Sequence, residues 1–372
     1  MLAAAPADSW LIATLDLASM QPLLEPWLES LGGLSGATRV AGLGSLSSAC
    51  GFEPLEHVRQ VMVALPEGGE RGDFGFAVAT DATLGADELA ACARKVIAAR
   101  GGTPTTATRG SFQVISADAA SQGGAEAQGS SAPKGPSVEQ GSPATQGTLD
   151  VTGRPQQEAQ LAYRKGGPFL VGQGSWLDAM IDAADGKGPG AAPEHAALRA
   201  MRLAGAASPG AEAHAPAALQ VTMLLPKALR ERLRGESIGE SAGDASPGPG
   251  RAFLGVLEVS EAAAAVVPVA GAGGVPALTT LEVDLRCESG AACDDVKNLV
   301  ERARLAWSGD LGVRLSGLGP LADSLTVDRL ADRGHEPDAR ALAIRARAPT
   351  ADLAGALARL LDRVSPPPTP GP

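Results

Sequence analysis

The sequence predicts an α+β protein of two similar units, each a mainly antiparallel sheet with helices packed on one face. Three observations carry this. The order strand, helix, strand, strand, helix, strand, strand, helix reads out of both halves. "DELAACARKV" (87–96) and "GAACDDVKNL" (290–299) hold the same place in the two runs, each with a cysteine after an Ala-Ala pair. The chain of 372 residues is 44% hydrophobic but only 3% aromatic, so it is long enough for a sizeable core and that core must be aliphatic. The repeated order reads as a duplication; chance recurrence of α+β layers is the alternative.

In the first unit (8–182), "WLIATLDL" is rich in β-branched and aliphatic residues and reads as a strand. Leu23, Leu24, Trp27, Leu28 and Leu31 then recur at helical spacing. "VRQVMVALPE" (58–67) and "DFGFAVAT" (73–80) read as strands joined by a Gly-rich loop. Leu89, Cys92, Ala93, Val96 and Ile97 form one face of a helix, with Asp87 and Glu88 in its first turn. "SFQVIS" (111–116) is a short strand. Residues 117–158 are Ser, Gly, Gln, Ala and Pro with almost no large apolar side chain, and a disordered insertion is expected there. "QLAYRKGGPFLVGQG" reads as two strands around Gly166-Gly167, followed by a helix with Trp176, Leu177, Met180 and Ile181 on one face.

Residues 183–216 read as a linker. The second unit (217–364) opens on a strand, Leu219–Leu225, followed by a helix. "FLGVLEVS" (253–260) and "LTTLEVDLRCES" (278–289) are strands, and Val296, Leu299, Val300 and Ala303 form the stripe of the next helix. "SLTVDRLADRG" and "ARALAIRARA" read as strands, and "DLAGALARLLDRV" as the last helix. Residues 365–372 are a Pro-rich disordered tail.

The cysteines are Cys50, Cys92, Cys287 and Cys293. None forms a CxxC or lies at zinc spacing with a histidine. Cys50–Cys92 and Cys287–Cys293 are the expected disulfides, which suits an oxidising compartment. Four buried free thiols would satisfy the same positions.

A net charge of −11 argues against general nucleic-acid binding, which needs a basic face, and against electrostatic attachment of the whole chain to anionic lipid. A local basic patch fits within that total. Arginine far outnumbers lysine among the 31 basic residues, and Ala, Gly and Pro are frequent, as in high-GC bacteria. No stretch has the length of a membrane span without breakers; "AAAAVVPVAGAGGVPAL" (262–278) comes nearest. The start lacks a signal-peptide pattern, yet "LAAAPADS" is the kind of sequence that follows a signal-peptidase site or a lipid-modified cysteine. A periplasmic or outer-envelope location is expected, with a cytoplasmic one as the alternative.

No catalytic, cofactor-binding or metal-binding residue is expected, and no cofactor. "GFEPLEHV" (51–58) sets Glu53 and Glu56 near His57, but sequence neighbours do not face one another, and a solvated turn explains them. His195, His214 and His335 read as loop residues. "GLGSLSSACG" (42–51) and "VGQGSW" (171–176) lack a P-loop Lys and the full dinucleotide fingerprint, and Ser175 lacks the second glycine of GxSxG. Glu288, Asp294 and Asp295 are explained by charge at a helix start. Trp10, Trp27, Trp176 and Trp307 fall on or beside apolar stripes and are expected in the core or at its rim.

"PADSWLIATLDLASMQPLLEPW", "CGFEPLEHVRQVMVALPE" and "FAVATDATLGADELAACARKV" resemble exported or lipoprotein sequences of high-GC, myxobacterium-like bacteria, over about half the chain. That resemblance implies an envelope location and transfers no catalytic residue. The reading that follows is a non-catalytic envelope protein that binds a protein or other macromolecule. The alternative is a hydrolase-type enzyme whose site is assembled from residues distant in sequence. Convergence of a histidine with two acidic groups in a deep pocket would favour the enzyme.

Overall fold

The computed structural model describes residues 1–30, 48–66, 74–117, 159–205, 217–231, 258–269, 271, 277–331 and 337–364. After a 3-10 turn at Leu2–Ala4 come β1 (Ser9–Asp16), α1 (Leu17–Ser30), a 3-10 turn at Pro54–His57, β2 (Val58–Pro66), β3 (Gly75–Thr80) and α2 (Ala86–Ala99). β4 (Pro104–Arg109), β5 (Phe112–Ala117), β6 (Gln160–Tyr163), β7 (Phe169–Gly172) and α3 (Gly174–Ala184) follow. Next are α4 (Pro193–Gly205), β8 (Leu219–Leu224), β9 (Val259–Val269), β10 (Leu278–Cys287) and α5 (Gly290–Gly309). The chain continues with α6 (Leu311–Leu315), α7 (Gly319–Asp323), β11 (Thr326–Ala331), β12 (Pro337–Pro349) and α8 (Thr350–Val364).

All twelve strands join one antiparallel sheet in the order β11-β12-β10-β9-β8-β1-β2-β3-β7-β6-β5-β4. The seam between the halves is the β1–β8 pairing, Leu11 opposite Met223 through Leu15 opposite Leu219. On either side of it three strands pair consecutively: β1-β2-β3 and β8-β9-β10. A helix then leaves, and a returning strand docks on the third: β7 on β3 and β12 on β10. The first half carries β4 and β5 as additional outer strands.

Helices cover both faces of the sheet, not one as expected. Alternation within single strands shows it. Ala162, Leu170 and Val114 pack with Trp176, Leu177, Met180 and Ile181 of α3. Their neighbours Leu161, Tyr163, Phe169 and Ile115 pack with Leu89, Ala90, Ala93 and Ile97 of α2. In the second half Met223, Ala262, Leu285 and Leu342 lie under Ala292, Cys293, Val296 and Val300 of α5. Thr222, one residue from Met223, faces α4 on the other side. Strands flanked on both sides by helices lose a clean inside–outside alternation, which removed the sequence signal for one face against two.

Close approach of α3 depends on Gly75. A Cβ there would lie 2.8 Å from Nε1 of Trp176. That indole N–H donates to the Ala64 carbonyl at 3.3 Å.

Four local expectations change. Residues 183–216, expected as a linker, contain α4. β9 runs through the alanine stretch Val259–Val269, later than the expected 253–260, of which 253–257 lie outside the described residues. β4 was not foreseen: four of its six residues are exposed, so "PTTATR" has no apolar period. α6 and α7 were also not foreseen. The insertion expected at 117–158 lies, after Ala117, outside the described residues, as does the tail 365–372.

The structure joins Cys50 to Cys92, with Cα atoms 4.6 Å apart, and Cys287 to Cys293, with Cα atoms 5.6 Å apart. The first ties the segment before β2 to α2. The second ties the end of β10 to the first turn of α5, where Ser289 caps the helix by accepting from the Ala292 N–H at 3.2 Å.

Candidate functional site

The histidines are the first place to look for chemistry. His57 Nδ1 lies 3.0 Å from the Thr83 hydroxyl and 3.3 Å from Asp81 Oδ1. Asp81 also accepts from Arg59 at 2.8 Å and from the N–H groups of Thr83 and Leu84 at 3.0 and 3.3 Å. These bonds, the Thr83 hydroxyl foremost, hold its carboxyl down at about 2. A carboxylate so satisfied is a poor base. It shapes the turn from β3 into α2.

His195 is not a loop residue. It sits in the first turn of α4 with no solvent exposure. Its Nε2–H donates to the Ser9 carbonyl at 2.9 Å, Nδ1 lies 2.8 Å from the Thr222 hydroxyl, and that hydroxyl lies 3.4 Å from the Ile12 carbonyl. A carbonyl only accepts, so Nε2 carries a proton. Burial pushes the imidazole below its ordinary value. His195 thus pins α4 to β1 and β8 at the seam, away from solvent and any substrate. His214 and His335 lie outside the described residues.

Two polar clusters remain. Asp185 gathers Arg164 at 3.1 Å, Lys187 at 3.3 Å and both the hydroxyl and N–H of Ser111, which lower its pKa, the Ser111 hydroxyl foremost. Arg164 also lies over the Phe112 ring, 4.6 Å from its centre. This knot locks α3 to the β4–β5 hairpin. The second is a cleft of about 340 Å³ lined by Ser260, Arg286, Cys287, Glu288 and Arg340. There Arg286 pairs with Glu261 at 3.1 Å, Arg230 pairs with Glu288, and Cys287 is tied up in its disulfide. No nucleophile–base pair forms in it. Among the described residues no group of three or more His, Cys, Asp and Glu is placed to hold a metal, and no helix is long and apolar enough to cross a membrane.

No family model matches the chain, and no curated protein matches it. Among solved structures, crystal forms I and III of TP0453 align with it at TM-scores of 0.40 and 0.41 and 8% identity. The alignments cover 96% of this chain and 97% of that one. A likeness at this level carries no argument about what this chain does.

The feature left is apolar. Where α5 ends and α6 and α7 follow, Leu305 is 67% exposed, Trp307 51%, Leu311 69%, Leu315 74% and Leu318 37%. Large exposed apolar patches are candidate interaction surfaces. Trp307, expected in the core or at its rim, stands out in solvent; Trp176 is in the core. Leu305, Ala306 and Trp307 are consecutive and all exposed, and consecutive helical residues point about 100° apart. Apolar surface therefore sweeps around the end of α5 rather than lying on one side.

The tip is nonetheless well tied internally. Asp310 ends α5 and caps α6, accepting from the Val313 N–H at 2.9 Å. Arg314 donates from Nε to the Ser308 carbonyl at 3.0 Å and sits 3.8 Å from Asp323. Ser316 donates to the Val313 carbonyl at 2.8 Å, and Arg359 of α8 donates to the Ser316 carbonyl. Gly317 takes φ +81 to end α6. The polar groups are paired with one another at the surface, among the exposed leucines. No sequence pattern singled out Leu311, Leu315 or Leu318.

Proposed function

We propose that this chain is a non-catalytic bacterial envelope protein, a binding or structural module that works through the α5–α7 tip. The observation that carries the reading is the exposed apolar tip, set against histidines His57 and His195 that are committed to structural bonds. Two disulfides and the resemblance to exported lipoprotein-like sequences support the envelope location. The matched strand order about the β1–β8 seam supports two copies of one α+β unit. The departure from that symmetry is α2, which lies over β4, β5 and β6, while α5 lies over β10, β11 and β12.

Two measurements test the proposal. Protein taken from its native cells under acid quench should incorporate a thiol alkylator at none of the four cysteines before reduction. Four labelled thiols would place it in a reducing compartment and overturn the envelope reading. Photo-crosslinkers at Leu311 and Leu315 in those cells should give discrete adducts that a crosslinker at Thr106 of β4 does not. Adducts from neither tip position would overturn binding through the tip.

A further inference from the structure

We infer that the β4 edge of the sheet pairs with the same edge of a second copy of this chain, antiparallel about a two-fold axis at Thr106. The inference goes beyond the reading of the tip and does not depend on it. A crosslinker at Thr106 then joins two copies of this chain and gives none of the tip's adducts.

The open edge is the first argument. Among the described residues the sheet ends at β4 and at β11. A sheet edge carries unpaired N–H and C=O groups that template another strand unless charge, a bulge or a cover blunts it. β11 is blunted. Its pairing with β12 is irregular between Arg329 and Ala331, and Asp328 and Arg329 put charge in mid-strand. β4 is not. Its six residues pair with β5 in unbroken register, Pro104 opposite Ala117 through Arg109 opposite Phe112. Thr105, Thr106, Ala107 and Thr108 are exposed, and the strand carries no charge before its last residue.

Hydrogen-bond phase is the second argument. Gly110, at φ +57, and Ser111 form a two-residue turn, so Arg109 and Phe112 are a hydrogen-bonded pair. Alternation then turns Ala107 and Thr105 inward to β5, and Pro104, Thr106 and Thr108 outward. The Thr105 hydroxyl agrees, donating to the Ser116 carbonyl opposite at 3.2 Å. A proline in a sheet belongs where its missing N–H faces out of the ladder. An antiparallel partner must meet outward residues with outward residues. A second β4 does so with Thr106 opposite Thr106 and Pro104 opposite Thr108. The N–H groups of both Thr106 and both Thr108 residues then donate across the axis.

Side chains are the third argument. In that register Thr105 faces Ala107 and Arg109 faces Thr103, so no like charges meet. Arg109 is already paired with Asp178 at 2.5 Å. Threonine opposite threonine is a favourable cross-strand pair. Pairing β4 with β11 of the next copy fits worse. It meets the irregular strand, and being head to tail it adds copies without closing, whereas the two-fold pair stops at two.

The test is sedimentation velocity of the full chain, disulfides intact, across the micromolar range. The wild type should pass from monomer to dimer and go no further. Thr106→Pro removes two of the donors and should weaken the dimer on the order of tenfold or more. Thr106→Lys keeps the donors but sets two ammonium groups face to face, and should weaken it as well. Both variants should keep the circular dichroism spectrum, since the Thr106 N–H points out of the sheet. A wild type that stays monomeric, or a dimer that either folded variant retains at full strength, overturns the inference. Species that grow past the dimer overturn it too. A dimer lost in L311E/L315E and kept in the Thr106 variants overturns it while binding through the tip stands.

Discussion

The two halves of the sheet build their interiors from different material. The first buries Phe112, Met62, Leu170, Trp176, Leu177, Met180 and Ile181. The second buries Ala262, Ala263, Ala265, Ala341, Ala343, Ala346 and Ala348, with Leu342, Val259 and Val296 among the few larger side chains. A buried Leu, Phe or Met contributes about 1.5–3 kcal/mol, and an alanine much less. The first half is therefore held by volume. The second is held by close approach, strand pairing and its short disulfide. The second half also has leucines, but it carries several of them outside, on the α5–α7 tip. Its apolar side chains are divided between the interior and the exposed end of α5–α7.

If that contrast is right, the halves fail in opposite ways. Leu177→Ala in α3 should open a cavity and cost up to about 5 kcal/mol in chemical denaturation. Ala343→Leu in β12 should destabilise by overcrowding, about 1–3 kcal/mol. Equal tolerance at the two sites would break the comparison.

The disulfides sharpen it. Cys50–Cys92 closes a separation of 42 residues and Cys287–Cys293 one of 6. Replacing each pair by serine should cost about 4 and about 2 kcal/mol respectively in the chain-entropy model. A larger loss from the short loop would mean that the second half depends on its staple for more than loop closure.

His195 stands where the halves meet. His195→Ala leaves the buried Ser9 carbonyl without its imidazole donor and the Thr222 hydroxyl with only the Ile12 carbonyl, at 3.4 Å, a loss of about 2–3 kcal/mol. The folded protein binds the His195 proton less readily than the unfolded chain does, so protonation favours unfolding. Its contribution should be whole above the unfolded value of about 6.5 and decline as pH falls from there toward the lower folded value. Denaturation midpoints across that window should slope for the wild type and flatten for the variant. An unchanged slope would assign the acid sensitivity elsewhere.

The smallest expected effect is at the tip. Leu311 and Leu315 touch little, so Leu311→Glu with Leu315→Glu should change stability by no more than about 0.5 kcal/mol. A loss of several kcal/mol would show that the leucines pack against the fold and would remove the contrast between inside and outside.

The sequence was most legible where apolar periodicity matched a single environment. The stripes of α2 and α3 lie where spacing put them, whereas in β10 Asp284 is more buried than Val283 or Leu285 and in β12 Ala341, Leu342 and Ala343 are buried in succession. It was least legible where the environment cancels the pattern. β9 reads as an alanine run because it is hemmed between β8 and β10 with helices on both sides. β4 reads as loop because an exposed edge has no inside. α4 hid in a stretch read as linker, and its buried His195 carries no mark that separates a pinned imidazole from a solvated one. The tip was the hardest to see. "LAWSGDLGVRLSGLGPLADSL" has the composition of any helix-turn-helix surface, and only the fold separates its exposed leucines from the buried Ala322. No residue type announces that.

Photo-crosslinking in native cells tests the proposed use of the α5–α7 tip most directly. Crosslinkers at Leu311 and Leu315, both exposed, should give discrete adducts while one at Thr106 of β4 gives none of them. Adducts from Thr106 with none from either tip position would contradict it.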